Sequence, residues 1–497
     1  MKRNEVLVQY FLLFHPYHKD LFQNYHVQHT KHELMFSISF INLLLFFMNR
    51  TIIFISYNAG DKKMNTIFKV TMIYLTLFLT TTIIGSILLY LPVTGRKPID
   101  FVDAFFIATS AFTVTGLSTV DIPNQFNELG YLVILLLIQI GGLGIVTLMI
   151  FIMIFTRKNI SYKNRELLKY TWSLDNDSGL LNITIRLVLF SFIIEILGAI
   201  FLSMVFIPDH GIVKGGFISI FTSVSSFNNA GFSLFSDSLM SYSDNLIVNV
   251  IVPLLIVIGG IGYIVILDLW KANRLSKLSL HSKIVLTTTA ILIVIGSLSF
   301  WLLEANNVLK NDNWIVQIFK SVFQSISTRT AGFNTVDIGQ LHDSTLFIFD
   351  LLMFIGAAPM STGGGIKVTT FAIIIVYLYS LLKGQTHPHI FKKSIMTEQI
   401  NKAITVCFLS SSLIFISTLS ILIQNPKLDT TKVLFETISA FATVGLSTGI
   451  TADLNSMSKV ILILLMIVGK IGVLIIISIF VHPKKELYFY STEKIHL

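Results

Sequence analysis

Cysteine is nearly missing: the chain has one, Cys407, inside an apolar run. Disulfide frameworks, Cys-rich zinc sites and CxxC redox chemistry are thereby excluded. Charge is scarce as well. Charged residues make up 13% of the 497, about half the roughly 25% usual in a soluble globular domain. Neither a phosphate-cradling GxxxxGK[ST] nor an HExxH occurs, so energy and regulation by nucleotides have to come from outside the chain. The apolar runs hold scattered ionisable residues rather than the clustered acids, histidines or serines that a membrane-embedded enzyme would need.

What the chain has in abundance is hydrocarbon. Hydrophobic residues reach 53%, Phe alone occurs 41 times, and the mean hydropathy is +0.76. The composition reads as an all-α polytopic membrane protein. Spanning the hydrocarbon core takes about 20 apolar residues in a helix. Runs of that kind fall near 68–92, 131–155, 183–206, 247–269, 284–305, 345–382, 400–423 and 459–481. They form four pairs, and the sixth is too long for one simple span and is broken near its middle.

The net charge of +9 does not point to nucleic acid, because of where it sits. The segments 157–186, 268–283, 383–402 and 482–497 hold 17 Lys/Arg against 7 Asp/Glu. The intervening segments on the opposite side hold 7 against 13. The positive-inside rule puts the first set in the cytoplasm, and with it both ends of the 68–481 body.

Between the two runs of each pair lies a shorter, interrupted segment ending in a recurring phrase: SAFTVTGLST at 110–119, SSFNNAGFSL at 225–234, STRTAGFNTV at 327–336 and SAFATVGLST at 439–448. In outline this is Ser, five residues (four in the third phrase), then Gly-[Leu/Phe]-[Ser/Asn], with shared glycines at Gly116, Gly231, Gly332 and Gly445. Their spacings of 115, 101 and 113 residues define a fourfold internal repeat. A second phrase keeps the same register: Gly141-Gly142, Gly259-Gly260, Gly356-Ala357 and Gly469-Lys470 begin 25, 28, 24 and 24 residues after those glycines.

Irregular backbone at membrane depth is tolerated where protein buries it or where it lines a watery path. Four equivalent segments can meet that condition together, around one axis. In each, a short helix dips in and a glycine-containing strand returns, offering carbonyl oxygens in place of a cation's hydration shell. The negative end of each short helix adds attraction for a cation. The bland alternative is close helix packing through small residues. It is preferred for Gly141, Gly142, Gly259 and Gly260, and not for the four glycines that follow Ser/Thr/Asn/Arg-rich segments.

The four phrases resemble the filter loops of the Trk/Ktr/HKT superfamily of potassium transporters, most closely its Ktr-type membrane subunit, over about 68–481. The resemblance implies four membrane–pore–membrane repeats in a pseudo-fourfold arrangement around a central ion pore. Ion binding falls to Thr115, Gly116, Ala230, Gly231, Ala331, Gly332, Val444 and Gly445. Asn228, Asn229, Arg329, Thr330, Thr443 and Glu436 support the filter. Glycine in all four repeats implies K⁺ preference, with K⁺ at the filter as the one metal ion. GAAPMSTGGGIK at 356–367 resembles the family's intramembrane gating loop, assigning Gly356, Pro359, Ser361, Thr362, Gly363, Gly364, Gly365 and Lys367 to a gate. Pro359 and the glycine run rule out a continuous helix there independently. Lys470 stands where the family has arginine, as an electrostatic barrier beneath the filter; lysine keeps the charge without the planar fork.

The resemblance further implies a bacterial plasma-membrane location, a homodimer in the lipid bilayer, and a cytosolic ring of nucleotide-binding subunits that controls the gate. The basic loops 157–170, 271–283 and 383–393 offer that ring a docking surface, although membrane topology alone also accounts for them. No cofactor is expected on the chain itself, and Na⁺ coupling stays open. An alternating-access transporter for another solute would show two large repeats with matching broken helices; four repeats and one broken helix are read here.

Glu195, mid-span, reads as a bundle-interior hydrogen-bonding residue, and Asp268 and Asp350 as helix-end residues. The expected divisions are 64–156, 157–282, 283–395 and 396–481 for the repeats, with a tail at 482–497. Residues 1–63 lie outside the repeat and carry five of the twelve histidines. Two readings stand for them: an over-extended reading frame upstream of Met64, or a genuine segment with one further span at 35–56.

Overall fold

The computed structural model describes residues 66–144, 147, 180–272, 274–385 and 387–473, all within the unit Asn58–Leu497. The expectations for 1–63, for 157–170 and for 482–497 lie outside the described residues.

The structure is helical, and each sequence repeat uses the same order of elements. In the first, α1 (Thr66–Tyr90) is followed by the short α2 (Phe101–Thr113), a glycine segment, the single turn α3 (Ile122–Gln125) and α4 (Glu128–Leu143). The second has α5 (Leu180–His210), α6 (Ile212–Phe227), α7 (Leu246–Gly260) and α8 (Tyr263–Lys271). The third has α9 (Leu280–Glu304), α10 (Trp314–Thr330), α11 (Asp343–Phe354) and α12 (Val368–Leu382). A hairpin of β1 (His389–Ile390) and β2 (Lys393–Ser394) leads to the fourth: α13 (Thr397–Gln424), α14 (Thr430–Ala442) and α15 (Ser456–Ile471).

Length and apolarity decide which helices form the outside. Among the described residues three helices are long and apolar enough to cross a membrane, within α5, α9 and α13, and a fourth is the bent pair α7–α8. Their outer faces expose Ile193, Ile196, Ile200 and Met204 on α5, Val294 and Leu302 on α9, and Phe408, Phe415 and Ile423 on α13. An apolar face left open to this extent fits a hydrocarbon solvent. The short helix α2 is nearly wholly buried and α14 is buried from Phe435 onward, and Phe105, Phe106, Phe112, Phe221, Phe227 and Phe323 pack the centre.

The helices after the glycine segments start on side-chain caps. Asn127, Asn245 and Asn455 accept backbone N–H bonds from the first turns of α4, α7 and α15, satisfying donors that a helix start leaves unpaired. In the third repeat the residue at that place, His342, makes no side-chain cap and is itself held from elsewhere. Glu304, fully buried at the end of α9, accepts from the His342 N–H at 3.0 Å and the Thr345 hydroxyl at 2.5 Å.

The sequence anticipates unbroken spans at 131–155, 247–269 and 459–481, and here the structure differs. α4 stops at Leu143, α7 turns by 93° into α8, and α15 stops at Ile471. The cause recurs: Gly144, Gly262 and Gly472 take φ of +81°, +86° and +96°, a conformation open to glycine and incompatible with a continuing right-handed helix. The third repeat has its break at the same point, widened into the loop between α11 and α12. Among the described residues, the helix that follows each glycine segment thus stops or bends in all four repeats.

Candidate functional site: the glycine ring and the loop beside it

Each short helix delivers its C-terminus to a glycine segment. Val114 N–H bonds Ala111 O and Thr115 N–H bonds Ser110 O; Asn229 and Ala230 repeat this with Ser226 and Ser225, and Thr443 and Val444 with Ala440 and Ser439. Val114, Asn229 and Thr443 consequently adopt φ of +53°, +60° and +51°. The third segment departs from this pattern. Ser327 stands one residue nearer its glycine, no left-handed residue intervenes, and the N–H groups of Ala331 and Gly332 both reach Ser327 O, at 2.9 and 3.3 Å.

The helix serines then fasten the returning strand. Ser110 and Ser439 hydroxyls accept from Gly116 N–H (3.1 Å) and Gly445 N–H (3.0 Å). Ser225 and Ser327 hydroxyls instead donate to the carbonyls of Phe232 (2.8 Å) and Phe333 (2.5 Å).

The four glycines form a closed cycle. Gly116, Gly231, Gly332 and Gly445 all have positive φ, +96°, +67°, +76° and +92°. A Cβ on Gly116 would meet the carbonyl oxygen of Ala230 and the Cα of Gly231. One on Gly231 would meet Ala331 O and Gly332, one on Gly332 would meet Val444 O and Gly445, and one on Gly445 would meet Thr115 O and Gly116. Every oxygen approach is under 3.0 Å, so a side chain at any of the four positions is strained by its backbone angle and forces the neighbouring segment to shift. The eight residues expected to bind ions are brought together.

The supporting residues sit behind this ring. Asn228 Nδ2 donates to Glu195 Oε1 at 2.9 Å, and Gln139 Nε2 donates to both carboxylate oxygens of Glu195 at 3.1 Å. Glu195 is therefore a bundle-interior acceptor that ties α4 and α5 to the second glycine segment; its partner Gln139 gave no signal in the sequence. Asn229 and Thr330 share a hydrogen bond of 2.8 Å. Glu436 accepts from Ser447 Oγ (2.5 Å), Thr448 N–H (3.1 Å) and Thr451 Oγ1 (2.9 Å), bracing the fourth strand beyond Gly445. Arg329 is buried and its Nε has no hydrogen-bond partner, so no brace is formed through that atom.

The loop at 355–367 lies between repeats. Gly356 N–H bonds Ile366 O and Val368 N–H bonds Ala357 O, closing its base. Ala358 N–H reaches Gly260 O at 3.0 Å, and Met360 O accepts from Tyr263 N–H at 3.0 Å, so the loop docks on the break between α7 and α8. Ser361 Oγ donates to Ala358 O at 2.6 Å, and Pro359 O abuts Gly262. On the far side Lys470 Nζ donates to Thr362 O at 2.5 Å, while Lys367 Nζ donates to Gly363 O at 2.7 Å. Lys470 occupies the last turn of α15.

The second recurring phrase is a packing device. Cβ atoms on Gly141, Gly259 and Gly469 would collide with the carbonyls of Phe112, Phe227 and Phe441 at the ends of the short helices. Gly356, their counterpart, meets Gly364 of the loop instead. Asp268 is a helix-end residue, accepting from Ser279 N–H (2.9 Å) and Ser282 Oγ (2.6 Å). Asp350 is not one. It sits inside α11, a full turn before the helix ends, and is buried with neither carboxylate oxygen hydrogen-bonded.

Residues 41–489 match the family model "TrkH: Cation transport protein". The chain is 40% identical to the Ktr system potassium uptake protein B of Bacillus subtilis, over 82% of this chain and 92% of that protein. It is 37% identical to the protein of the same name from Vibrio alginolyticus, covering 84% and 92%. It is also 37% identical to the potassium/sodium uptake protein NtpJ of Enterococcus hirae, covering 80% and 90%. Its fold matches the crystal structure of the potassium transporter TrkH from Vibrio parahaemolyticus with a TM-score of 0.65 at 18% identity, over 85% and 86% of the two chains.

Proposed function

This chain belongs to the TrkH family of cation transport proteins, membrane proteins and not enzymes, and from that premise we propose that it takes up K⁺ across the bacterial plasma membrane. Its four repeats stand in pseudo-fourfold order around one pore. The carbonyl oxygens of Thr115, Ala230, Ala331 and Val444, each beside the glycine of another repeat, replace the hydration shell of the ion. The four short-helix C-termini add negative potential at the same place. The observation that carries this reading is the closed glycine cycle, in which the last segment meets the first.

The loop at 356–367 is the gate. It is held by Lys470, whose positive charge also opposes a cation passing below the filter. A cytosolic nucleotide-binding ring docks on the basic face of a homodimer and moves that loop; 271–283 and 383–393 belong to this face. Ion entry is driven by the membrane potential, about 2.3 kcal/mol per charge per 100 mV. The chain holds no cofactor of its own. Na⁺ coupling enters the proposal through the name of the Enterococcus relative, a potassium/sodium uptake protein.

The test is growth of an uptake-deficient bacterium at limiting K⁺, with and without a partner ring. The chain restores growth, and Gly116→Ser lowers the preference for K⁺ over Na⁺ in radiotracer uptake. A membrane-inserted chain that never restores growth, or an unchanged preference in Gly116→Ser, contradicts the reading.

A further inference from the structure

The glycine run of the loop is directed at the ends of two short helices. Gly363 lies against Thr330, where a Cβ would come within 3.3 Å of Thr330 Cγ2. Gly365 lies against Ala442, 3.2 Å from its Cα by the same construction. Between them Gly364 donates its N–H to Thr443 Oγ1 at 2.9 Å. Thr330, Ala442 and Thr443 are the residues that lead into the third and fourth glycine segments, so the loop touches the base of the glycine ring itself.

Thr443 is singled out twice. It is β-branched yet adopts φ +51° and ψ +50°, a region such residues rarely occupy without support. The next residue is Val444, whose carbonyl oxygen faces Gly332. Its counterparts do not serve the loop in this way: Val114 has no hydroxyl, and Asn229 bonds Thr330.

We infer that Thr443 is a positioning residue that couples the gate to the filter. While the loop is seated, the Gly364 N–H holds the Thr443 hydroxyl and with it the left-handed turn that sets the Val444 carbonyl. When the loop leaves, that support goes and the carbonyl shifts, so discrimination among cations changes with the state of the gate. The inference rests on the reading of the ring as filter and the loop as gate.

The experiment measures K⁺ and Na⁺ uptake of the full-length chain in proteoliposomes with its partner ring. Thr443→Val, which removes the acceptor at nearly constant shape, lowers the K⁺/Na⁺ ratio of the basal uptake that remains without activating nucleotide, with the loop seated, by about five- to tenfold, the factor carried by one net hydrogen bond. Thr443→Ser, which restores the hydroxyl, recovers most of that ratio. In a chain whose loop is shortened at 363–365, Thr443→Val adds nothing further. Thr443→Ala repeats the measurement should the valine variant fail to reach the membrane. An unchanged ratio in Thr443→Val, or an equal drop with and without the loop, overturns the coupling. An unaltered preference in Gly116→Ser overturns the filter reading instead, which keeps the two failures apart.

Discussion

Repeats 1, 2 and 4 enter their glycine segments through a left-handed residue, cap the next helix with an asparagine, and end that helix at a glycine. The third repeat shares none of these in the same form. It is one residue shorter before the glycine, has no side-chain cap on the next helix, and opens the helix break into a loop. The glycine itself nevertheless falls into place between Gly231 and Gly445. The difference teaches that the ring requires a carbonyl and a glycine at the right depth and tolerates different approaches to them. What the third repeat gains is a segment flexible in composition, seated on the α7–α8 break, with contacts to Thr330, Thr443 and Lys470.

Breaking that difference outright has the largest expected effect. Shortening 359–365 makes the third repeat resemble the others and removes several loop hydrogen bonds at once. Uptake in the absence of activating nucleotide rises on the order of tenfold or more, at about 1 kcal/mol for each bond lost, and stops responding to the partner ring. Tracer flux with and without nucleotide checks it, and flux that stays nucleotide-responsive speaks against a gate.

A smaller effect comes from the fourth repeat's hold on the third. Lys470→Ala removes one charge-assisted bond to Thr362 O, and with it a barrier charge. Uptake rises by about three- to tenfold, while the amount of protein in the membrane, read by immunoblot, stays level. Loss of protein without a change in rate per molecule would assign Lys470 a structural role.

The smallest effect sharpens the comparison of caps. Asn245→Ala removes a side chain that accepts from Ile247 and Val248 N–H, at a cost of about 1 kcal/mol. The residue at the same place in the third repeat, His342, makes no side-chain cap, so His342→Ala leaves thermal stability in detergent nearly unchanged. Equal losses for the two variants would show that the cap position matters for some other reason.

Much of this site could be read in the sequence because it is repeated. One glycine in a polar phrase carries little information, whereas four in register fix a ring, and Pro359 with Gly363–Gly365 announce a break wherever they occur. The breaks at Gly144, Gly262 and Gly472 were hidden because the apolar runs continue across them; hydropathy reports solvent and not backbone angle. For the same reason the run 459–481 conceals the end of α15 at Ile471, one residue past Lys470. The one-residue shortening after Ser327 is visible in the letters, but its consequence, a segment without a left-handed turn, depends on hydrogen bonds that only the fold supplies. Gln139 left no trace either, because a single amide in an apolar helix gains meaning only when Glu195 and Asn228 converge on it.

The most direct measurement is an electron-density map of crystals grown with Tl⁺ or Rb⁺ in place of K⁺. An anomalous peak enclosed by the carbonyl oxygens of Thr115, Ala230, Ala331 and Val444 is expected. A map whose bound ions all lie elsewhere, with that ring empty at saturating concentration, would contradict the filter reading.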